Sequence, residues 1–250
     1  MSIDHKTDSN DDVVVLYKGG RLPSWDALSP QDQSAYQDEH VGLMLSIADE
    51  HSLMHLEGFR LMTPQQSWER FWTIEFPTVG GAQAWIEAEM APPYGRYGFY
   101  EYYVSKRWRP DYFSEWVENP AAIVSKRHED PRSIPSLSTK RDSVILLVCG
   151  RWNPESDQAS PEERGDPERT ARMRAVAREH GLMKYEAFKL IGPQNNWHFA
   201  WVLEFPEVAG AEAWIDGEVR PPNSQHSTRS YFLARRWAPE YFASWVRTPG

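Results

Sequence analysis

The stretch EFPTVGGAQAWI at residues 75–86 decides the fold, because the chain repeats it as EFPEVAGAEAWI at residues 204–215. The same offset of 129 residues, from 75 to 204, carries Trp72 onto Trp201 and Arg107 onto Arg236. Between residues 40 and 120 the two copies align without a gap. A repeat unit of this length is a whole small domain and not a solenoid element. The sequence therefore predicts two homologous domains in one chain.

The repeat and the composition predict the domain boundaries. The first domain is expected at residues 12–118 and the second at 142–247. Between them, residues 119–141 are polar and rich in Pro and Ser, as is typical of a linker. Residues 1–11 are polar and acidic, and we expect them to form a disordered lead.

Hydrophobic periodicity predicts the order strand, helix, strand, strand, helix, strand in each copy. We expect the first strand to end at Gly19-Gly20, residues 21–29 to form a loop, and Ser29-Pro30 to start the first helix. A short helix is predicted at residues 111–117. The order is that of the ferredoxin-like split βαβ unit, whose sheet has helices on one face only. The predicted fold class is α+β: two tandem ferredoxin-like (βαββαβ) domains packed sheet to sheet as an intramolecular dimeric α+β barrel.

Composition and charge exclude several classes of protein. The net charge of −9 argues against a general nucleic-acid surface. A single cysteine, Cys149, cannot form an intramolecular disulfide, which suits a reducing compartment. No apolar run has the length of a membrane helix, and the N-terminus has no apolar signal region. We expect a cytoplasmic protein with no nucleic-acid or membrane partner.

The predicted fold resembles the dimeric α+β barrel superfamily in its fused, pseudo-dimeric form. Within that superfamily, Tyr36-x-x-x-His40-x-x-Leu43 on the first helix is similar to the helix of EthD-type proteins, in which a His faces the ligand cavity. The second copy has Arg169 at the position of His40. The superfamily includes isomerases, polyketide cyclases, decarboxylases, cofactor-free monooxygenases and haem enzymes, so the fold alone does not choose among them.

The repeat separates residues that hold the common fold from residues of a specialised site. His40 lies on an apolar helical stripe in the first copy only, where an imidazole could serve as general acid or base. The last strand of the first copy is rich in Tyr: Tyr94, Tyr97 and Tyr100 have no Tyr at the matching positions of the second copy. Such a strand could line a pocket for a flat ligand, or it could be core.

Several charged residues occur in both copies. His51 and His180 lie near a helix end and are expected to complement its C-terminus. Glu57 and Arg107 recur as Glu186 and Arg236. Such groups could form structural ion pairs, or an arginine could bind an anion bidentately.

Together these features predict a small-molecule enzyme of aromatic or natural-product metabolism. It would act by acid–base chemistry without an organic cofactor, as a lyase, isomerase, cyclase or cofactor-free oxygenase. The predicted site residues fall into two groups: catalytic His40, Tyr36, Glu57 and Arg107, and substrate-binding Trp72, Tyr100, Tyr102 and Tyr103. No metal is expected, and the chain would be a monomer or homodimer acting on a small aromatic or polyketide-like substrate.

Two alternatives stay open at this point. One is a haem-dependent enzyme similar to the fused chlorite-dismutase relatives, which requires an axial His in a wide cavity. The other is a non-catalytic ligand-binding protein.

Overall fold

The computed structural model describes residues 12–65, 68–108, 142–154, 167–192, 196–221 and 226–239. The predicted lead, the linker at 119–141 and the helix at 111–117 lie outside the described residues, as do the predicted domain ends at 118 and 247. The chain forms two compact units. Of the described residues, the N-terminal unit contains those from 12 to 105 together with 236–239, and the C-terminal unit contains 106–108 and those from 142 to 235. Each unit thus includes a short segment from the end of the other copy.

The first copy contributes four strands, three α-helices and a 3-10 helix among its described residues. In chain order these are β1 (Val13–Arg21), α1 (Pro23–Asp26), α2 (Pro30–Glu50), β2 (His55–Leu61), β3 (Arg70–Phe76), α3 (Val79–Glu89), the 3-10 helix (Tyr94–Tyr97) and β4 (Gly98–Arg107).

The four strands pair in the antiparallel order β4-β1-β3-β2, the ferredoxin-like arrangement. Both faces of β3 are buried, since Phe71 and Thr73 alternate with Trp72 and Ile74 and all four are inaccessible. The helices α2 and α3 pack on each other. Their apolar stripes, represented by Met44 and Trp85, form one core with the Trp72 and Ile74 face.

Local signals set the helix starts. The Ser29 hydroxyl accepts a hydrogen bond from the Asp32 backbone N–H at 3.1 Å, and Pro30 stands in the first turn, where its missing N–H costs nothing. Thr78 caps α3 in the same way, through the Gly81 N–H at 3.3 Å. The helix start predicted at Ser29-Pro30 is therefore confirmed.

Two local predictions are wrong. The first strand does not end at Gly19-Gly20 but continues to Arg21, because both glycines pair with β4. A Cβ atom at Gly19 would lie 2.2 Å from the Tyr17 hydroxyl. Glycine is therefore required at this position because a side chain would clash with Tyr17, and it does not break the strand. The predicted loop at 21–29 contains the short helix α1, which buries Trp25.

The second copy repeats this plan. It contributes β5 (Val144–Trp152), α4 (Pro167–Glu179), β6 (Lys184–Leu190), β7 (Phe199–Phe205), α5 (Val208–Val219) and β8 (Ser227–Arg236). The strands pair antiparallel in the order β8-β5-β7-β6. Met173 of α4 and Trp214 of α5 form the core with Trp201 and Leu203 of β7.

The α+β class and the ferredoxin-like order of both copies are confirmed. Among the described residues, no helix combines the length and the apolar character needed to cross a membrane.

Candidate functional site

The N-terminal unit contains a cavity of about 30 Å³. Its wall is built from β1, β3, β4, α3 and the segment after β8. The polar side chains that face it are Tyr17, Arg21, Arg70, Glu89, Tyr94 and Tyr100. About 10 to 15 Å³ is enough for one water molecule, so this cavity has room for two waters or one small ion.

Aromatic rings hold the first of the two arginines. The Arg21 guanidinium carbon lies 3.9 Å from the Tyr94 ring centre and 4.3 Å from that of Trp25. Trp25 and Tyr94 meet edge to face, with centroids 5.4 Å apart. Guanidinium groups pack well on aromatic rings, and the contacts with these two rings hold the Arg21 donors in place at the cavity.

The second arginine is held in a similar way. The Arg70 guanidinium carbon lies 4.8 Å from the ring centre of Trp237, and its Nε donates to Glu69 at 3.2 Å. Trp237 packs edge to face on Trp72 at 5.7 Å, and its backbone N–H donates to the Gly58 carbonyl at 2.8 Å. The segment after β8 therefore completes the wall next to Arg70.

A cluster of three tyrosines closes another side of the cavity. The rings of Tyr17, Tyr100 and Tyr102 lie 5.3 to 6.1 Å apart. Burial raises the pKa of Tyr17 and of Tyr102 far above the usual value, and the charge of Glu89 adds to the increase. Among the described residues, the Tyr102 hydroxyl has no hydrogen-bond partner. The phenols of Tyr17 and Tyr102 therefore stay neutral at physiological pH.

Glu89 brings a negative charge to the same cavity. Its carboxylate lies 3.6 Å from Nε2 of His40, whose ring stacks on Tyr94 with centroids 3.9 Å apart. His40 is 5% exposed. Tyr94 covers one face of the imidazole, so His40 stands behind the cavity wall and does not line it.

The C-terminal unit keeps the glutamate of this site but differs at the positions around it. The counterparts of His40, Glu89 and Tyr100 are Arg169, Glu218 and Arg229. Glu218 is 2% exposed and forms ion pairs with both arginines, the one to Arg169 at 3.0 Å. The Arg229 guanidinium also lies 4.9 Å from the Trp201 ring centre. In this unit the carboxylate of Glu218 pairs with both arginines.

Of the predicted substrate-binding residues, Trp72 and Tyr100 line the cavity. Tyr102 lies in the tyrosine cluster, with its ring 5.3 Å from that of Tyr17. Tyr103 points to the other face of β4, where its hydroxyl donates to Glu101 at 2.8 Å. Among the described residues, the rings of Tyr17, Tyr100 and Tyr102 pack on one another and do not line a pocket for a flat ligand.

Of the predicted catalytic residues, Tyr36 stacks on Tyr97 at 6.1 Å. Glu57 is buried and forms an ion pair with Arg236 inside the N-terminal unit. Arg107 belongs to the C-terminal unit and pairs with Glu186 at 2.5 Å. Within the N-terminal unit, His40, Tyr36 and Glu57 contact different partners, which are Glu89 and Tyr94 for His40, Tyr97 for Tyr36 and Arg236 for Glu57.

Sequence reasoning missed Arg21, Arg70, Glu89 and Trp237 as members of a site. A usable signal exists for Arg70, because the second copy has Phe199 at the matching position. The difference between the copies that singles out His40 and the tyrosines therefore singles out Arg70 as well.

Comparisons with known proteins extend the fold assignment. No family model matches the chain, and no curated protein matches it. Chlorite dismutase from Candidatus Nitrospira defluvii, in a lysine-for-arginine variant, matches with a TM-score of 0.67 and 13% identity over 92% of each chain. The same enzyme in complex with imidazole gives 0.65 and 13% over 92% of each. The protein TA0507, a provisional chlorite dismutase, gives 0.63 and 10% over 91% of this chain and 95% of its own. At these identities the likeness shows the fold.

The prediction of a cofactor-free enzyme of aromatic or natural-product metabolism is wrong. The similar solved structures are chlorite dismutases, not lyases, isomerases, cyclases or cofactor-free monooxygenases. The physical reason lies in the site, since a cavity of about 30 Å³ does not admit an aromatic ring system.

Proposed function

We propose that the chain is a small-anion-binding protein and that its N-terminal unit holds the site. The observation that supports this proposal is the pair Arg21 and Arg70, two guanidinium groups that line one small cavity. Arginine binds carboxylates and other oxyanions through parallel N–H donors. Rings hold both side chains, so little conformational entropy is lost on binding.

The size and the charge of the cavity limit which ligands it can bind. The cavity has room for a few heavy atoms only. Glu89 lines it and Glu69 pairs with Arg70, so two carboxylates stand against two guanidiniums. This balance favours an ion with one negative charge over a dianion, which the carboxylates would repel. The described residues of the C-terminal unit offer no matching pair of arginines, because Arg169 and Arg229 hold Glu218.

The test uses two arginines that share one partner. Arg70 and Arg60 both bind Glu69, at 3.2 and 2.9 Å, but only Arg70 lines the cavity. Isothermal titration of the full chain with nitrate, formate and bicarbonate should detect binding of at least one ion. Arg70→Gln should weaken it about 10- to 100-fold, the effect of losing a charged hydrogen bond. Arg60→Gln should leave it unchanged.

Two results would contradict the proposal. One is the absence of binding heat with all three ions. The other is an equal loss in Arg60→Gln and Arg70→Gln, which would assign the effect to Glu69 or to general surface charge. Arg21→Gln gives an independent check, and it should weaken binding to a similar degree.

The likeness to chlorite dismutases favours a second candidate, a haem-dependent enzyme of that type. The cavity of the N-terminal unit does not fit haem. A ligand of that size needs about 300 Å³ or more, whereas the cavity has about 30 Å³. His40 is buried against Tyr94, and its counterpart is Arg169. An absorption spectrum recorded after addition of haem and gel filtration should show no Soret band, and a band at one haem per chain would favour the second candidate.

The cytoplasmic location, the oligomeric state and the similarity of the first helix to EthD-type proteins stay predictions.

A further inference from the structure

Glu89 is the feature of the cavity that pure anion binding does not explain. Its side chain is 20% exposed and lies on the wall with Arg21 and Arg70. A carboxylate in this place repels an anion that the arginines attract. A site selected for anions alone would be better without it.

The carboxylate of Glu89 has acceptor capacity left. Its contact with His40 is 3.6 Å long, and it accepts no hydrogen bond from the described residues. The counterpart Glu218 is held by Arg169 and Arg229. Because His40 and Tyr100 replace those arginines, the carboxylate of the N-terminal unit is not consumed by internal cations.

Taking the proposed anion-binding function as its basis, we infer that the ligand is a small monovalent oxyanion that keeps a proton on one of its oxygens, as hydrogencarbonate does. An ionised carboxylate only accepts hydrogen bonds, whereas a guanidinium only donates them. A protonated oxyanion satisfies both, since its bare oxygens accept from Arg21 and Arg70 and its O–H donates to Glu89. Glu89 is then the residue that determines specificity.

Nitrate and bicarbonate make a matched pair of probes. Both are flat, carry one negative charge and have three oxygens, but only bicarbonate has a proton to donate. Calorimetric titrations in closed cells at about pH 8 should give tighter binding of bicarbonate by about tenfold or more.

Glu89→Gln should remove this preference. The Gln amide keeps the shape of the side chain and supplies N–H donors, which a nitrate oxygen can accept. Nitrate should then bind at least as well as bicarbonate. Glu87→Gln is the control, because Glu87 is exposed on the same helix and accepts from Gln83 at 2.8 Å. That variant should keep the wild-type preference.

The outcomes separate this inference from the function on which it rests. If the wild type binds nitrate and bicarbonate equally, or if Glu89→Gln leaves the preference unchanged, the anion site stands and the role of Glu89 is refuted. If neither ion binds and formate also fails to bind, the proposed function fails and the inference fails with it, whereas binding of formate alone refutes the inference and leaves the function standing. A circular-dichroism spectrum identical to wild type shows that the variant is folded.

Discussion

The two units place a glutamate at the same helix position and surround it differently. In the C-terminal unit, Glu218 is buried between Arg169 and Arg229. In the N-terminal unit, Glu89 faces His40 and borders a cavity. One carboxylate is neutralised inside the protein and serves stability, while the other stays available to a ligand. The duplicated fold thus keeps a charge in both copies and varies the groups around it.

The largest effect is expected when the ion pairs of Glu218 in the C-terminal unit are removed. Glu218→Gln leaves the partly buried Arg169 and Arg229 without their shared carboxylate, and the free energy of unfolding should fall by about 3 to 5 kcal/mol. Glu89→Gln should lower it by less than about 1 kcal/mol, because Glu89 is partly exposed and its contact is long. Urea unfolding of both variants measures the difference. Equal losses would show that Glu89 is as structural as Glu218.

The next effect concerns the wall beside Arg70. A Cβ at Gly58 would lie 2.3 Å from the Trp237 carbonyl oxygen and 2.6 Å from the Trp72 ring, whereas the second copy has Ala187 at this position. Gly58→Ala should cost about 1 to 3 kcal/mol of stability and weaken anion binding. Ala187→Gly should cost about 0.5 to 1 kcal/mol and leave binding unchanged. Urea unfolding measures the stability of the two variants, and calorimetry measures their affinity for the anion. Unchanged affinity in Gly58→Ala would show that this wall does not contribute to the binding site.

A pH experiment sharpens the comparison of the tyrosines. Burial, and then the charge of Glu89, raise the pKa of Tyr102 in the folded protein, so ionisation favours the unfolded chain once the pH exceeds about 10. At pH 11 the wild type should lose about 1.4 kcal/mol that Tyr102→Phe retains. At neutral pH the variant should be as stable as the wild type, since the Tyr102 hydroxyl has no hydrogen-bond partner among the described residues.

The counterpart Tyr231 provides the control for that experiment. Burial raises its pKa as well, but Arg229 and Arg169 act in the opposite direction. The advantage of Tyr231→Phe should therefore level off at a lower pH than that of Tyr102→Phe. If the stability of the two variants depends on pH in the same way, the surroundings of Tyr102 and Tyr231 do not differ in their electrostatic effect.

The smallest effect lies at the end of the first long helix of each copy. Ser52 has a φ of +54°, and its counterpart Gly181 has +60°. Side chains are disfavoured in this left-handed region, so Ser52→Gly should stabilise the protein by about 0.5 to 1 kcal/mol. Gly181→Ser should destabilise it by a similar amount. Thermal unfolding measures both shifts, and opposite signs would indicate compensation by local hydrogen bonds.

Most of the fold could be predicted because its determinants are local or repeated. The Ser29-Pro30 pair signals a helix start, and the alternation along β3 signals a strand. The continuation of β1 through Gly19 could not be read locally, because the need for glycine comes from the Tyr17 side chain folded over it.

The site was less predictable, because its parts meet only in three dimensions. Arg21 and Arg70 become a pair through rings from α1, the 3-10 helix and the segment after β8. No spacing in the sequence records these contacts. The difference between the two copies identifies Tyr100 as a site residue from the sequence alone. The same kind of difference, between Arg70 and Phe199, identifies one of the two arginines.

Trp237 has a consequence for how the protein is made. This residue follows the last strand of the second copy, yet it packs on Trp72 and Arg70 in a cavity whose other walls come from the first copy. During synthesis, the ribosome must therefore translate the second copy before the wall of the first can close. A chain terminated before Arg236 lacks that wall. Premature termination therefore removes the site although every residue of the first copy is present.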